Sequence, residues 1–329
     1  MTTPLPPVID TQDVTIRFRR RRSAASLFAP PPTFRAVAEA SLTIARQEVL
    51  GLVGESGSGK TTLGRAILRL YEPTEGTILF EGHDITHLRE ARLRPIWRRM
   101  ALVFQDPLSS FNPRHTIGTA LATPSRIAGQ GTEASDRVTQ SLRRVGLPLD
   151  SRDRYPHELS GGQLQRAALA RALMLSPAFV VADEAVSKLD VSVRSQVLNL
   201  FRDVQAELGI AFLFITHDLH VARYVSDRVA VMFFGRIVET APAQDLFRTP
   251  RHPYTRALLA TLHDNDAAAP APAPAPALAW ARARTAVDQE AQGCIYRSQC
   301  PRSLPRCAET HPPTATIAPG HTLACYNPA

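Results

Sequence analysis

The chain has 329 residues, 44% of them apolar and 21% charged, and its 38 basic against 30 acidic side chains give a formal charge of +8. That size and composition suit two ordinary domains or one large α/β unit with an appendage, and exclude a wholly disordered, collagenous or coiled-coil chain. The longest apolar runs, such as 210–215, fall far short of the roughly 18 residues a spanning helix needs. The start also lacks a basic segment leading into an apolar one, so a cytoplasmic setting is expected.

A basic balance is a prior for nucleic acid, phosphate ligands or an anionic membrane surface and does not choose among them. Usage is more pointed: among the basic residues only Lys60 and Lys188 are lysines, so each of the two asks for a reason.

In chain order, Val14–Phe18 is the first expected strand, followed by a charged, proline-containing loop over 19–35 that reads as a solvated insertion. A second strand, Glu48–Val53, runs into Gly54, Glu55, Ser56, Gly57, Ser58, Gly59, Lys60, Thr61 and Thr62, and helical periodicity covers Thr61–Leu70. A strand, then G-x-x-x-x-G-K-[ST], then a helix is the phosphate-loop pattern in its required context. Glycines let successive backbone N–H groups converge on phosphate oxygens, and the helix start adds partial positive charge. Lys60 is placed to reach the β and γ phosphates, and Thr61 to offer a hydroxyl to Mg²⁺. Lysine at that position of an arginine-rich chain fits a site that wants a compact point charge rather than a planar fork.

Further along, Ala101–Phe104 is an expected strand ending just before Gln105, and 116–158 contains no convincing strand and reads as an inserted helical piece. Ser160, Gly161, Gly162 and Gln163 then open a helix, Gln163–Leu175, with Ser160 as its N-cap. The apolar strand Phe179–Asp183 ends in Asp183-Glu184, which suits a Walker B edge. Asp183 would hold Mg²⁺ and Glu184 would orient or deprotonate a water. Helix Val191–Leu208, strand Ala211–Thr216 ending at His217, and strand Arg228–Phe233 complete the middle, and the alternation implies a mostly parallel sheet wrapped by helices.

Phosphate loop, Walker B carboxylates, Leu159-Ser-Gly-Gly-Gln163, Gln105 in VFQDP and His217 in FITHD together resemble the nucleotide-binding domain of ABC ATPases. The resemblance implies a P-loop ABC ATPase fold, a mostly parallel sheet with an antiparallel β-subdomain and a helical subdomain at about 106–158, filling residues 1–262. It also implies that Phe18 stacks on adenine, that Gln105 senses Mg²⁺ and the transmembrane partner, that His217 contacts the γ-phosphate, and that 187–190 forms the D-loop. Ser160–Gln163 would close on ATP held by a partner's phosphate loop. GESGSGKTTLGRAIL, FQDPLSSFNPR, ITHDLHVARYVSDRVAVM, GRIVE and RHPYTRALL narrow the resemblance to the ATPase subunits of bacterial oligopeptide and dipeptide importers. Those imply ATP and Mg²⁺ as ligands and a second ATPase subunit, identical or not, as partner. They further imply two permease subunits, a solute-binding protein acting through them, no nucleic acid, and a peripheral place on the cytoplasmic face of the inner membrane. Departures are Ala185-Val186, Leu164 and Lys188, the last placing a long cation in the D-loop, where a non-identical partner could meet it with an acid. The rival reading, a non-transport ABC ATPase acting on nucleic acid or the ribosome, has the +8 charge as its motive and no nucleic-acid module or second cassette to support it.

An Ala/Pro-rich linker is expected at 263–280, and 281–329 holds all four cysteines, Cys294, Cys300, Cys307 and Cys325. A reducing compartment disfavours disulfides, and the uneven gaps match zinc ribbons poorly. Four unliganded thiols remain an open reading. The tail (GCIYRSQCPRSLPRC, GHTLAC) resembles the importer C-terminal region, which is associated with a four-thiolate iron–sulfur (4Fe–4S) cluster.

Overall fold

The computed structural model describes residues 5–19, 33–263 and 292–329. The Arg-rich segment at 20–32 and nearly all of the expected linker lie outside the described residues.

Two sheets organise the fold. The smaller is antiparallel, in the order β2 (Thr33–Ile44), β1 (Ile9–Arg19), β4 (Glu75–Phe80), β5 (His83–Asp84). Phe18 pairs with Phe34 and Arg19 with Thr33, so the first strand runs on past its expected end and 33–35, expected as loop, is strand.

The larger sheet is built on five parallel strands in the order β9 (Arg228–Phe233), β3 (Val49–Val53), β8 (Ala211–Ile215), β7 (Phe179–Asp183), β6 (Met100–Val103). Every residue of β3, β7 and β8 is buried, the signature of strands covered on both faces. Helix α1 (Lys60–Ile67) packs on one face through Leu63, Ala66 and Ile67, in a core shared with β1 and β2. It comes so close that a Cβ at Gly64 would stand 2.7 Å from Ile215 Cδ1. Short helix α2 (Glu90–Trp97) borders the same core through Leu93.

The other face carries α6 (Gly161–Leu173), α7 (Val191–Leu208) and the inserted helices. These are α3 (Pro107–Ser110), α4 (Ile117–Ile127) and α5 (Ala134–Arg144). Ile117, Leu121, Val138 and Leu142 recur at helical spacing and all point into that core, which is why 106–158 folds as a helical lobe.

Beyond β9 the sheet turns antiparallel through β10 (Arg236–Pro242), β12 (His321–Leu323) and β11 (Ala315–Ala318). The tail is therefore sewn into the main sheet, with Glu239 paired to Leu323 and Thr240 to Thr322. Helices α8 (Leu219–Val225), α9 (Ala243–Arg248) and α10 (Pro253–His263) cover this end. A third core joins Phe233, Leu246 and Tyr254 to Cys294, Tyr296 and Cys307 of the tail.

Candidate functional site

Strand order assembles the site. β3, β8, β7 and β6 are neighbours, and their carboxyl ends lie in register: Leu52 pairs with Ile215, Ile215 with Asp183, and Ala182 with Val103. The residues just past those ends are the phosphate loop, His217, Glu184 and Gln105, so motifs far apart in sequence stand side by side along one edge. Ligands of open α/β sheets sit at that edge.

Between β3 and α1 the loop 54–59 folds tightly on its neighbours. Gly59 has φ +106°, and a Cβ there would stand 2.3 Å from the Ala36 carbonyl oxygen. Any side chain would have to displace backbone, so glycine is required. Lys60, 5% exposed, donates from Nζ to the carbonyls of Gly54 and Glu55, each at 2.7 Å, and to Ser58 Oγ at 3.3 Å. Burial pulls its pKa down, and the carboxylates of Glu184, Asp183 and Glu55 oppose that pull. The loop thus encloses one compact cation whose partners are weak, neutral carbonyls, an arrangement from which a polyphosphate can take it.

Thr61 Oγ1 donates to Asp183 Oδ1 at 2.8 Å. Burial raises the Asp183 pKa, and the Thr61 bond and Arg65 work against it. A hydroxyl and a desolvated carboxylate on adjacent oxygens form a hard-donor pair that fits Mg²⁺, which keeps most of its own waters and takes one or two such protein ligands. When bound with nucleotide, the ion would neutralise charge on the β and γ oxygens. Gln105, the other expected ligand, stands on the far side of Glu184.

Glu184 adopts φ +47°, a left-handed conformation uncommon for a non-glycine residue and of the kind that marks functional sites. Its N–H donates to the Ile215 carbonyl at 2.9 Å. Its two carboxylate oxygens are taken by different strands' residues: Gln105 Nε2 donates to Oε2, and His217 Nδ1 lies 3.0 Å from Oε1. The carboxylate is thereby aimed, with the amide and the imidazole holding it from either side.

Ser160 caps α6 in a reciprocal box, with the Gln163 N–H donating to Ser160 Oγ at 3.3 Å and the Ser160 N–H to Gln163 Oε1 at 3.0 Å. Gly162 is a point of close approach, since a Cβ there would meet Val193 Cγ1 at 2.4 Å. Among the described residues no hydrogen bond joins Ser160–Gln163 to the phosphate loop. Phe18 sits with its ring edge-on to Tyr71 at 5.4 Å and 5.7 Å from Phe34, a cluster of three aromatics of which the sequence singled out one. Tyr71 follows α1 directly, but nothing local in its sequence marks it.

Lys188 has a partner within the chain: its ammonium lies 3.3 Å from Asp106 Oδ2, beside Gln105. An acid on a non-identical partner is therefore not needed to accommodate it, and this motive for a heterodimer falls away.

In the tail, Cys294, Cys300, Cys307 and Cys325 are all free thiols. Burial raises the pKa of Cys294, Cys300 and Cys325, and the nearness of the other thiols adds to the rise in each. Cys307 Sγ and Cys325 Sγ each accept a backbone N–H at 3.4 Å, from Leu304 and Asn327. Among the described residues no three His, Cys, Asp or Glu side chains close into a group that could hold a metal ion.

Comparison with known proteins agrees with this geometry. Residues 37–187 match the ABC transporter family, and 238–307 match the oligopeptide/dipeptide transporter C-terminal region. The chain is 48% identical to a peptide import ATP-binding protein of Brucella ovis over 295 residues, covering 89% of this chain and 92% of that one. It is 42% identical to the oligopeptide transport ATP-binding protein AppF of Bacillus subtilis, with 89% of each chain covered. Among solved structures, the dimeric ATP-binding cassette MJ0796, in a post-hydrolysis state with ADP and Pi, superposes with a TM-score of 0.62 at 26% identity. That match covers 71% of this chain and 98% of the other. Among the described residues no helix is long and apolar enough to cross a membrane. On sequence and fold alike, the chain belongs to the ATP-hydrolysing, ATP-binding subunits of ABC transporters, in the branch that carries the oligopeptide/dipeptide transporter C-terminal region.

Proposed function

We propose that two such ATPase subunits, acting head to tail beneath two permease subunits on the cytoplasmic face of the inner membrane, power uptake of peptides delivered by a solute-binding protein. The observation that carries this reading is the alignment of Lys60, Asp183, Glu184, His217 and Gln105 along one sheet edge, joined to a C-terminal region of peptide-transporter type. Glu184 is the base that takes a proton from the attacking water, held by Gln105 and His217. In this reading Lys60 would meet the β and γ charge, Thr61 and Asp183 would hold Mg²⁺, and His217 would contact the γ-phosphate. Ser160–Gln163, which makes no hydrogen bond to the chain's own loop among the described residues, serves the nucleotide of the partner subunit.

Support for permease docking comes from a groove of about 910 Å³ between α2, α4 and α6. Trp97 and Ile127 give it apolar walls, Arg94, Arg98 and Arg171 make it basic, and Ser110 and Asn112, a few residues past Gln105, are part of its lining. Ile127 is 81% exposed, more than an unpartnered apolar side chain favours. Reconstituted with the permeases and the binding protein, the chain should hydrolyse ATP faster when peptide is added, and nucleic acid should have no effect. ATPase activity stimulated by nucleic acid, with no retention by permeases, would overturn the assignment in favour of the nucleic-acid rival.

For the tail, the reading is a 4Fe–4S cluster held by Cys294, Cys300, Cys307 and Cys325, serving as a staple for a segment too small to build its own core. What supports it is chemical: the tail carries four soft donors, two of which already accept backbone N–H groups as cluster sulfurs do. The cluster would supply structure, since ATP hydrolysis needs no electron transfer. Protein purified without oxygen should be brown, with broad absorption near about 400 nm, and Cys300→Ser should remove the colour. Colourless protein without iron would sink this reading.

A further inference from the structure

The motif Arg251-His252-Pro253-Tyr254-Thr255 takes no part in the machinery above, yet it is anchored as firmly as any segment of the chain. Glu239, 1% exposed, accepts the N–H groups of Arg251 and His252, both at 2.9 Å, and lies 2.8 Å from His321 Nε2 of the tail. Next, His252 Nδ1 accepts the Tyr254 N–H at 3.0 Å, a bond that requires a neutral ring. Burial ensures that neutrality by pushing the His252 pKa down to about 4.

These bonds fix where the Tyr254 side chain goes. Its ring, 1% exposed, packs 4.4 Å from Phe233 at the end of β9 and 5.6 Å from Tyr296 of the tail. Its hydroxyl accepts the N–H of Glu55 at 3.3 Å, inside the phosphate loop. The Gly54–Glu55 peptide is thus held from both sides, by Tyr254 at the Glu55 N–H and by Lys60 at the Gly54 carbonyl. The two holds differ in one respect. A nucleotide competes for the Lys60 ammonium, so the carbonyl bond is given up as phosphate binds, whereas the bond to Tyr254 does not depend on Lys60 and can persist.

We propose that Tyr254 is a positioning residue for nucleotide binding: its buried hydroxyl anchors the Glu55 amide of the phosphate loop, and Tyr296 of the cysteine-bearing tail seats the ring that carries it. The hydroxyl keeps the loop's first turn in its binding shape while Lys60 changes partners. The tail thereby reaches the nucleotide without touching it, because Tyr296 also meets Phe233 edge-on at 5.4 Å and Cys294 and Cys307 lie in the same core. The inference rests on 54–62 being the nucleotide loop, and unaltered protein titrated alongside separates a failure of that premise from a failure of the Tyr254 role.

The experiment is MgATP titration of the full chain and its variants, with steady-state hydrolysis measured in parallel. Tyr254→Phe keeps the ring and removes the acceptor, and should weaken MgATP binding about three- to tenfold, the worth of one hydrogen bond. The change should fall on KM far more than on kcat, a split that a general loss of folded protein would not produce. Tyr296→Ala should weaken binding in the same direction. Hydrogen exchange gives a second readout: the Glu55 amide should be protected in the unaltered, nucleotide-free chain and lose protection in Tyr254→Phe. Wild-type affinity in Tyr254→Phe, or a Glu55 amide that exchanges freely in the unaltered chain, would overturn the anchor. Wild-type affinity in Tyr296→Ala would overturn the part played by the tail.

Discussion

Glu184→Gln should bind MgATP nearly as well as the unaltered chain and hydrolyse it about 10²–10⁴-fold more slowly, the range lost with a positioned general base. The substitution preserves size and planarity. It also preserves the two-sided hold, because the new amide oxygen can still accept from Gln105 and the amide N–H₂ can face His217, whose ring nitrogen acts as donor or acceptor according to its tautomer. What disappears is a carboxylate able to take a proton from water. Single-turnover hydrolysis, measured beside nucleotide affinity, separates chemistry from binding. Hydrolysis at the unaltered rate would mean that the proton goes elsewhere and that the left-handed backbone at Glu184 serves some other purpose.

Lys60→Ala should act at the earlier step, weakening MgATP binding by about 10²-fold or more. A hydrogen bond to a charged group is worth about 1.5–3 kcal/mol, and this ammonium meets phosphate at a site 5% exposed, where water screens little. The same substitution leaves the carbonyls of Gly54 and Glu55 without their donor, a cost to the stability of the free loop rather than to binding. Lys60→Arg should recover little of the loss. Arginine's longer planar fork is a poor substitute for a compact ammonium held 2.7 Å from two carbonyls, which is a geometric reason for lysine here in a chain that nearly always uses arginine. Calorimetric titration with MgATP decides the matter, and unaltered affinity in Lys60→Ala would remove Lys60 from the phosphate site.

Both substitutions lie where local sequence and tertiary geometry agree. The segments legible from sequence were those whose pattern is written within a few residues. β7 and β8 are unbroken apolar runs, α7 has the periodicity of one buried face, and the phosphate loop is a fixed spacing of glycines before a helix. The antiparallel strands were harder to read. β2, β10 and β12 pair with the strands just before them, β1, β9 and β11, through bulged registers that interrupt simple alternation, and β10 with β12 is a pairing across a long stretch of chain.

The sequence alone determined the chemistry present: one compact cation in a glycine loop, two carboxylates ending a strand, a glutamine and a histidine after two others, and four thiols in a tail. Only the tertiary structure decided which of them meet. The order β3, β8, β7, β6 sets Lys60, His217, Glu184 and Gln105 along one edge in a sequence the chain itself does not follow. Pairing across that order gave Lys188 its acid in Asp106, put Tyr254 against Glu55, and tied His321 to Glu239 across 82 positions. The reason is physical. Hydrophobic periodicity and turn chemistry act over one or two turns of chain and so fix elements, whereas strand neighbours are chosen by which buried faces and backbone hydrogen bonds can be satisfied together. That choice is a property of the whole core, and no local window of the sequence contains it.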